Sequence, residues 1–141
     1  MGPDPSPVSV EGSSFLVAGL ETLMFTGNIE VVKKAYPGFE AWQKCLTMCS
    51  NDNVVDYSYY GDWAGPVYSC KNGDKSIDAV QSINAPGSFI STGFYYYNAK
   101  LLKKMAVFLG FDKKAEFYEK QMATIKETIL KRWWNGEKAR W

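Results

Sequence analysis

Histidine is absent from all 141 residues. Its absence excludes Ser-His-Asp and Cys-His nucleophilic catalysis, His-ligated zinc and the commonest general base near neutral pH. Acid–base chemistry is left to carboxylates, lysine or tyrosine. Cysteine is scarce, with Cys45, Cys49 and Cys70 the three in the chain. The first two lie four apart on one expected helix, so a disulfide framework is not expected and a zinc cluster has too few ligands. Buried free thiols are the expectation. No uncharged apolar run approaches the roughly 18 residues of a bilayer span. The opening MGPDPSPVSVEG lacks the basic and apolar regions of a secretory signal, so no signal or membrane span is expected within the chain and localisation stays open. Neither sign of charge is in excess: 16 Lys plus Arg against 15 Asp plus Glu leave +1, too little to gather nucleic acid or an anionic membrane surface. Gly-rich phosphate loops of the GxGxxG or GxxxxGK[ST] type are missing. No cofactor and no metal are expected.

What the chain does have is 46% apolar and 16% aromatic content, enough for about one packed domain. Residues 1–12 hold Pro3, Pro5 and Pro7 and are expected to form a flexible entry segment. After Ser13 or Ser14 as cap, FLVAGLETLMFT predicts an apolar helix ended by Gly27. Asn28 then caps a second helix, with Val31, Ala35, Phe39, Trp42, Leu46 and Cys49 as its apolar stripe. Pro37 and Gly38 interrupt that stripe, so either the helix is kinked or a new one begins at Pro37. A third helix opens near Pro86 with Phe94, Tyr97, Leu101, Met105 and Phe108 one turn apart, and Gly110 stops it. Asp112 is expected to cap a fourth helix whose stripe is Tyr118, Met122, Ile125, Ile129 and Trp133. Such short joints force antiparallel pairs. The expected fold class is all-α: two helical hairpins separated by a long loop over 50–85. Their apolar faces exceed what one small bundle can hide, as if the unit belongs to something larger.

A loop longer than about 12 to 15 residues is where function is to be sought. Its sharpest signal is Tyr60-Gly61-Asp62-Trp63, followed by Gly65 and Pro66. A carboxylate beside an indole suits a pyranose, since Asp62 can accept hydrogen bonds from vicinal hydroxyls while the ring of Trp63 covers the sugar's C–H face. The competing explanation is local: Asp62 makes an Asx-type turn and Trp63 pins the loop. Two other clusters carry less. Tyr95, Tyr96 and Tyr97 on one helix must point in different directions and cannot form one stacking platform. Trp133, Trp134 and Trp141, interleaved with Lys131, Arg132, Lys138 and Arg140, are most simply a frayed helix end whose basic residues suit the helix dipole.

Taken in order, LETLMFTGNIEVVKKAYPGFEAWQKCL, YYGDWAGP and FISTGFYYYNAKLLKKMAVFLGFDKKAEFYEKQMATIKETIL resemble part of the six-hairpin catalytic domain of bacterial α-L-rhamnosidases, glycoside hydrolase family 78. Three details carry the resemblance: Phe25, Gly27 and Asn28 followed by Tyr36, Pro37 and Trp42; the Gly-Asp-Trp of the loop; and the Tyr-rich helix ending Ala106, Leu109, Gly110. The resemblance implies that residues 13–141 are part of an (α/α)6 toroid. It also implies an inverting hydrolase in which one carboxylic acid protonates the glycosidic oxygen and another carboxylate activates water. On the family pattern the acid lies upstream and the base downstream of the matched region, so no catalytic residue is expected in this chain. The resemblance makes Asp62 and Trp63 substrate-binding residues for a rhamnose-containing carbohydrate, and makes the rest of the catalytic domain the chain's partner. The alternative function is a non-enzymatic α-helical interaction module gripping a partner through the aromatic loop 57–68. Against it, the two hairpins show no internal repeat.

Overall fold

The computed structural model describes residues 9–56, 87–134 and 136–137. In chain order they form α1 (Ser9–Thr26), α2 (Ile29–Met48), β1 (Ser50–Asn51), β2 (Val54–Val55), α3 (Gly87–Phe108) and α4 (Asp112–Trp133). The architecture is the expected pair of helical hairpins. Helix α3 is central, packing against α1, α2, α4 and β2.

Each hairpin closes through a local device. Gly27 sits in the left-handed region at φ 65, and its N–H reaches Leu23 O at 2.9 Å, a left-handed cap that only glycine adopts without strain. Asn28 caps α2 by accepting the Val31 N–H at 3.2 Å. Gly110, at φ 71, closes α3 in a Schellman motif: Phe111 N–H bonds Ala106 O at 2.8 Å and Gly110 N–H bonds Val107 O at 3.2 Å. Three local expectations shift. Helix α1 starts at Ser9, one turn ahead of the Ser13 or Ser14 cap, and Ser13 is instead buried, accepting from Asn98 Nδ2 at 2.8 Å. Pro37 lies inside one continuous α2, so its missing N–H costs the bond to Lys33 without starting a new helix. Phe111, not Asp112, holds the N-cap position of α4, and Asp112 lies in the first turn, where its charge suits the dipole.

The buried faces of α2 and α3 match the expected stripes in part: Phe39, Leu46, Leu101 and Met105 are buried, and Ala35 and Trp42 pack beside the core. On α2 the buried residues are Val32, Tyr36, Phe39, Gln43 and Leu46, while Val31 is exposed. A neighbour on a second side turns the helix. Helix α1 meets α2 through Gly12 and Gly19, where any Cβ would overlap the rings of Trp42 and Phe39 respectively. Helix α3 presses on the other flank and accepts two hydrogen bonds on mid-helix carbonyls, Tyr36 Oη to Leu102 O and Gln43 Nε2 to Tyr95 O, both at 3.1 Å. On α3 the expected Leu101 and Met105 are buried, but Tyr97 and Phe108 are exposed, and Tyr95, Asn98, Ala99, Leu102 and Ala106 take their places. The stripe of α4 holds: Tyr118 and Ile125 are buried, with Met122 and Ile129 packed beside them.

The segment expected as a loop over 50–85 opens instead with a short β-hairpin, whose second strand begins the one stretch of alternating residues, VVDYSYY. Strands β1 and β2 pair antiparallel with Ser50 opposite Val55 and Asn51 opposite Val54. Their turn residues, Asp52 and Asn53, have φ 48 and 63, the doubly left-handed turn that matches the twist of a tight hairpin. Val54 and Val55 are fully buried.

Candidate functional site

Asp62 and Trp63, the residues singled out in the sequence, lie outside the described residues, as do Tyr57, Tyr59, Tyr60, Tyr68, Cys70 and Trp141. What the structure describes is the ground from which their segment departs at Asp56 and to which it returns at Gly87. Four elements meet there: the end of α2, the β-hairpin, the start of α3 and the end of α4. Val55 is buried with Leu46, Tyr95 and Ile125 in a second small core, flanked by Trp42, Tyr96 and Ile129. Its backbone N–H is held by the buried Thr92 Oγ1 at 3.1 Å. Asp56 faces Arg132 of α4 at 3.6 Å, and Phe89 meets Trp133 edge to face with ring centroids 5.3 Å apart. Arg132 and Trp133 therefore belong to an ordered anchor with Arg132 over the indole at 5.4 Å, rather than to a frayed end. The three consecutive tyrosines part as expected: Tyr95 is buried, Tyr96 half-buried and Tyr97 exposed.

Beside the anchor runs a polar lattice between α2, α3 and α4. The Tyr95 hydroxyl lies 2.9 Å from Thr47 Oγ1 and accepts from Gln121 Nε2 at 2.9 Å, while Gln43 Nε2 donates to Gln121 Oε1 at 3.0 Å. Next along the same face, Glu40 accepts from Lys114 Nζ at 2.6 Å and from Tyr118 Oη at 3.3 Å. Burial, and then the Glu40 charge, push the Tyr118 phenol well above its ordinary range, so Tyr118 stays a neutral donor. Burial does the same to Tyr36, helped by Tyr118 and Glu40.

Among the grooves that this packing leaves, two adjoin the anchor and the polar lattice. One of about 380 Å³ between α2 and α4 is lined by Glu40, Gln43, Lys44, Thr47, Phe117, Tyr118 and Gln121. The other, about 460 Å³, runs along the first half of α3 and is lined by Phe89, Ile90, Gly93, Phe94, Tyr97 and Ile129. The first offers a single carboxylate, already engaged by Lys114 and Tyr118, and the second offers none. Glycosidic hydrolysis by inversion needs two carboxyl groups about 6.5 to 9.5 Å apart. Neither groove brings such a pair together. Among the described residues no three of Cys, Asp and Glu stand together as a metal site.

The family model described as the bacterial alpha-L-rhamnosidase 6 hairpin glycosidase domain matches residues 11–141. The chain belongs to that family. The six-hairpin glycosidase domain is a ring of helical hairpins, and the described residues form two of them. A curated α-L-rhamnosidase of Alteromonas sp. (strain LOR) is 25% identical over 114 residues, which is 81% of this chain and 12% of that protein. The solved structure of an α-L-rhamnosidase from Dictyoglumus thermophilum superposes with a TM-score of 0.76 at 22% identity, covering 88% of this chain and 13% of the other. The chain thus spans about one eighth of the length of the relatives it matches. Its place in a ring explains the surplus apolar surface, including the groove along α3, because a hairpin in a ring has neighbours on both flanks.

Sequence reasoning missed the anchor. Thr92 gave no signal, because its partner is a backbone N–H 37 positions away. The hairpin was within reach, since Asp52-Asn53 is a turn pair that tolerates positive φ and two β-branched residues follow it.

Proposed function

We propose that the parent of this chain is a glycoside hydrolase removing terminal α-L-rhamnose with inversion, and that this stretch supplies sugar-binding residues but neither catalytic carboxylate. The observation that carries the proposal is the family match over residues 11–141. It is supported by the curated α-L-rhamnosidase relative. In this reading Asp62 hydrogen-bonds sugar hydroxyls and Trp63 forms an aromatic wall of the rhamnose site, both carried on a segment whose two ends are anchored by Thr92, Asp56 and Arg132. The general acid and general base come from parts of the parent before and after this stretch. An interaction module without catalysis has no observation in its favour.

In the parent enzyme, Trp63→Ala is expected to lower kcat/KM on nitrophenyl α-L-rhamnoside by about ten- to a hundred-fold, equivalent to about 1–3 kcal/mol, with most of the loss in KM. A stacked ring holds substrate and transition state alike, which is why KM carries the change. The 141-residue chain alone is expected to show no turnover. Unchanged kinetics in a folded Trp63→Ala parent would remove the sugar-wall role, and turnover by the isolated chain that Asp62→Asn abolishes would make Asp62 catalytic.

A further inference from the structure

The sequence suggested buried free thiols; in the structure Cys45 and Cys49 are free but only half-buried. They are four positions apart, Cys45 in the last turn of α2 and Cys49 at its C-cap, so they share one face of the helix end. That turn is intact, for Cys49 has helical φ/ψ of −88 and −2 and its N–H bonds Cys45 O at 3.0 Å. The two thiols also sense each other: after burial, it is the Cys45 thiol that raises the Cys49 thiol above its ordinary range. Among the described residues no third metal-binding side chain joins them.

Geometry decides what such a pair can hold. Cβ atoms four apart on a helix are about 5–6 Å from each other, whereas a disulfide needs about 3.5–4.5 Å. Direct oxidation would therefore unwind the last turn of α2. A single soft atom placed between the sulfurs replaces the one S–S bond of about 2.05 Å by two bonds of the order of 2.3 Å each, which the helical spacing accommodates.

We propose that Cys45 and Cys49 form a two-thiol clamp for one thiophilic centre with two exchangeable ligands, and that its ligand class is the monosubstituted trivalent arsenicals. In the capture step two As–S bonds form and two As–O bonds break. The two thiol protons leave with the two hydroxyl groups as water, and arsenic stays trivalent. The product carries no charge. A neutral product suits a site at a helix C-terminus, where the partial negative charge of the unpaired carbonyls disfavours a pair of free thiolates. The clamp lies immediately before β1, so its occupant stiffens the turn of α2 from which the β-hairpin departs.

The test is titration of the 141-residue chain with phenylarsine oxide while circular dichroism follows the helix signal. One equivalent is expected to mask two of the three thiols, to resist excess glutathione, to yield to dithiothreitol, and to leave the helix signal undiminished. Closing the second bond within one turn makes it effectively intramolecular, so Cys45→Ser and Cys49→Ser should each weaken capture by about a hundred-fold or more. Cys70→Ser should capture as well as the parent chain. Capture that survives either of the first two substitutions, that is lost in Cys70→Ser, or that proceeds only with loss of helix would overturn the proposal, the last because it would show the unfolded chain to be the reactive form.

Discussion

The two ends of this bundle are built on opposite principles. At the end where α1 turns into α2 and α3 into α4, reversal is local. Glycines 27 and 110 take left-handed conformations, and Asn28 caps the next helix within three residues. The side chains around these turns include Met24, Phe25, Val107 and Phe108, all exposed. At the other end the β-hairpin turns locally at Asp52 and Asn53, but what fastens it to the helices is not local. Val55 reaches Thr92, Asp56 reaches Arg132, and Phe89 reaches Trp133, so that end depends on both hairpins being present at once. A turn encoded within five residues tolerates change around it. An anchor made by four distant segments fails when any one of them moves.

That contrast can be broken most forcefully at Leu46, fully buried in the small core under the anchor. Leu46→Ala should cost about 2–5 kcal/mol in a denaturant titration followed by circular dichroism, and a cost below 1 kcal/mol would mean that this core is not a structural centre. Thr92→Val should cost about 1–3 kcal/mol, because it leaves the buried N–H of Val55 without its acceptor. Thr92→Ser should recover most of the loss, and amide exchange at Val55 would report the difference directly.

Tyr36 tests the region between the two ends. Tyr36→Phe removes the bond to Leu102 O and should cost about 1 kcal/mol near neutral pH. Burial holds the Tyr36 and Tyr118 phenols far above their ordinary values. In the unfolded chain a tyrosine ionises near pH 10, so above that pH the folded state retains protons that the unfolded state has lost. Stability contributed by these groups is therefore complete below about pH 10 and falls as pH rises beyond it. The melting temperature should drop on the alkaline side, and Tyr36→Phe should make the drop shallower. The smallest effect belongs to the turn end: Phe25→Ser, at a side chain 85% exposed, should change the stability of this chain by no more than about 0.5 kcal/mol. A loss of 2 kcal/mol there would show that Phe25 is covered in the chain in solution and would erase the distinction between the ends.

How much was legible in advance follows the same division. Both inter-helix turns, the four helices and the stripe of α4 could be read from periodicity and caps, because each depends on residues within a few positions. The faces of α2 and α3 could be read only in part: Phe39, Leu46, Leu101 and Met105 are buried as expected, whereas Val31, Tyr97 and Phe108 are not. Val31 and Val32 have nearly the same chemistry, as do Tyr95 and Tyr97, and which of them is buried depends on where a second helix presses. The proposed sugar site is legible as a motif at Asp62 and Trp63. The residues that anchor the ends of its segment were invisible, since an alcohol, an aspartate and an arginine in separate elements carry no common pattern.

By itself the sequence determined the helical class, the places where the chain reverses, the exclusion of histidine chemistry and the resemblance to a six-hairpin glycosidase domain. These rest on local conformational preference or on residue types that are present or absent. Only the tertiary structure decided that Gly12 and Gly19 are contact points for aromatic rings, that Gln43 is buried and bonded to a helix carbonyl, and that Thr92 and Arg132 hold the end of the hairpin. Each of these depends on the distance between segments far apart in the chain, and that distance is set by the close packing of side chains against one another.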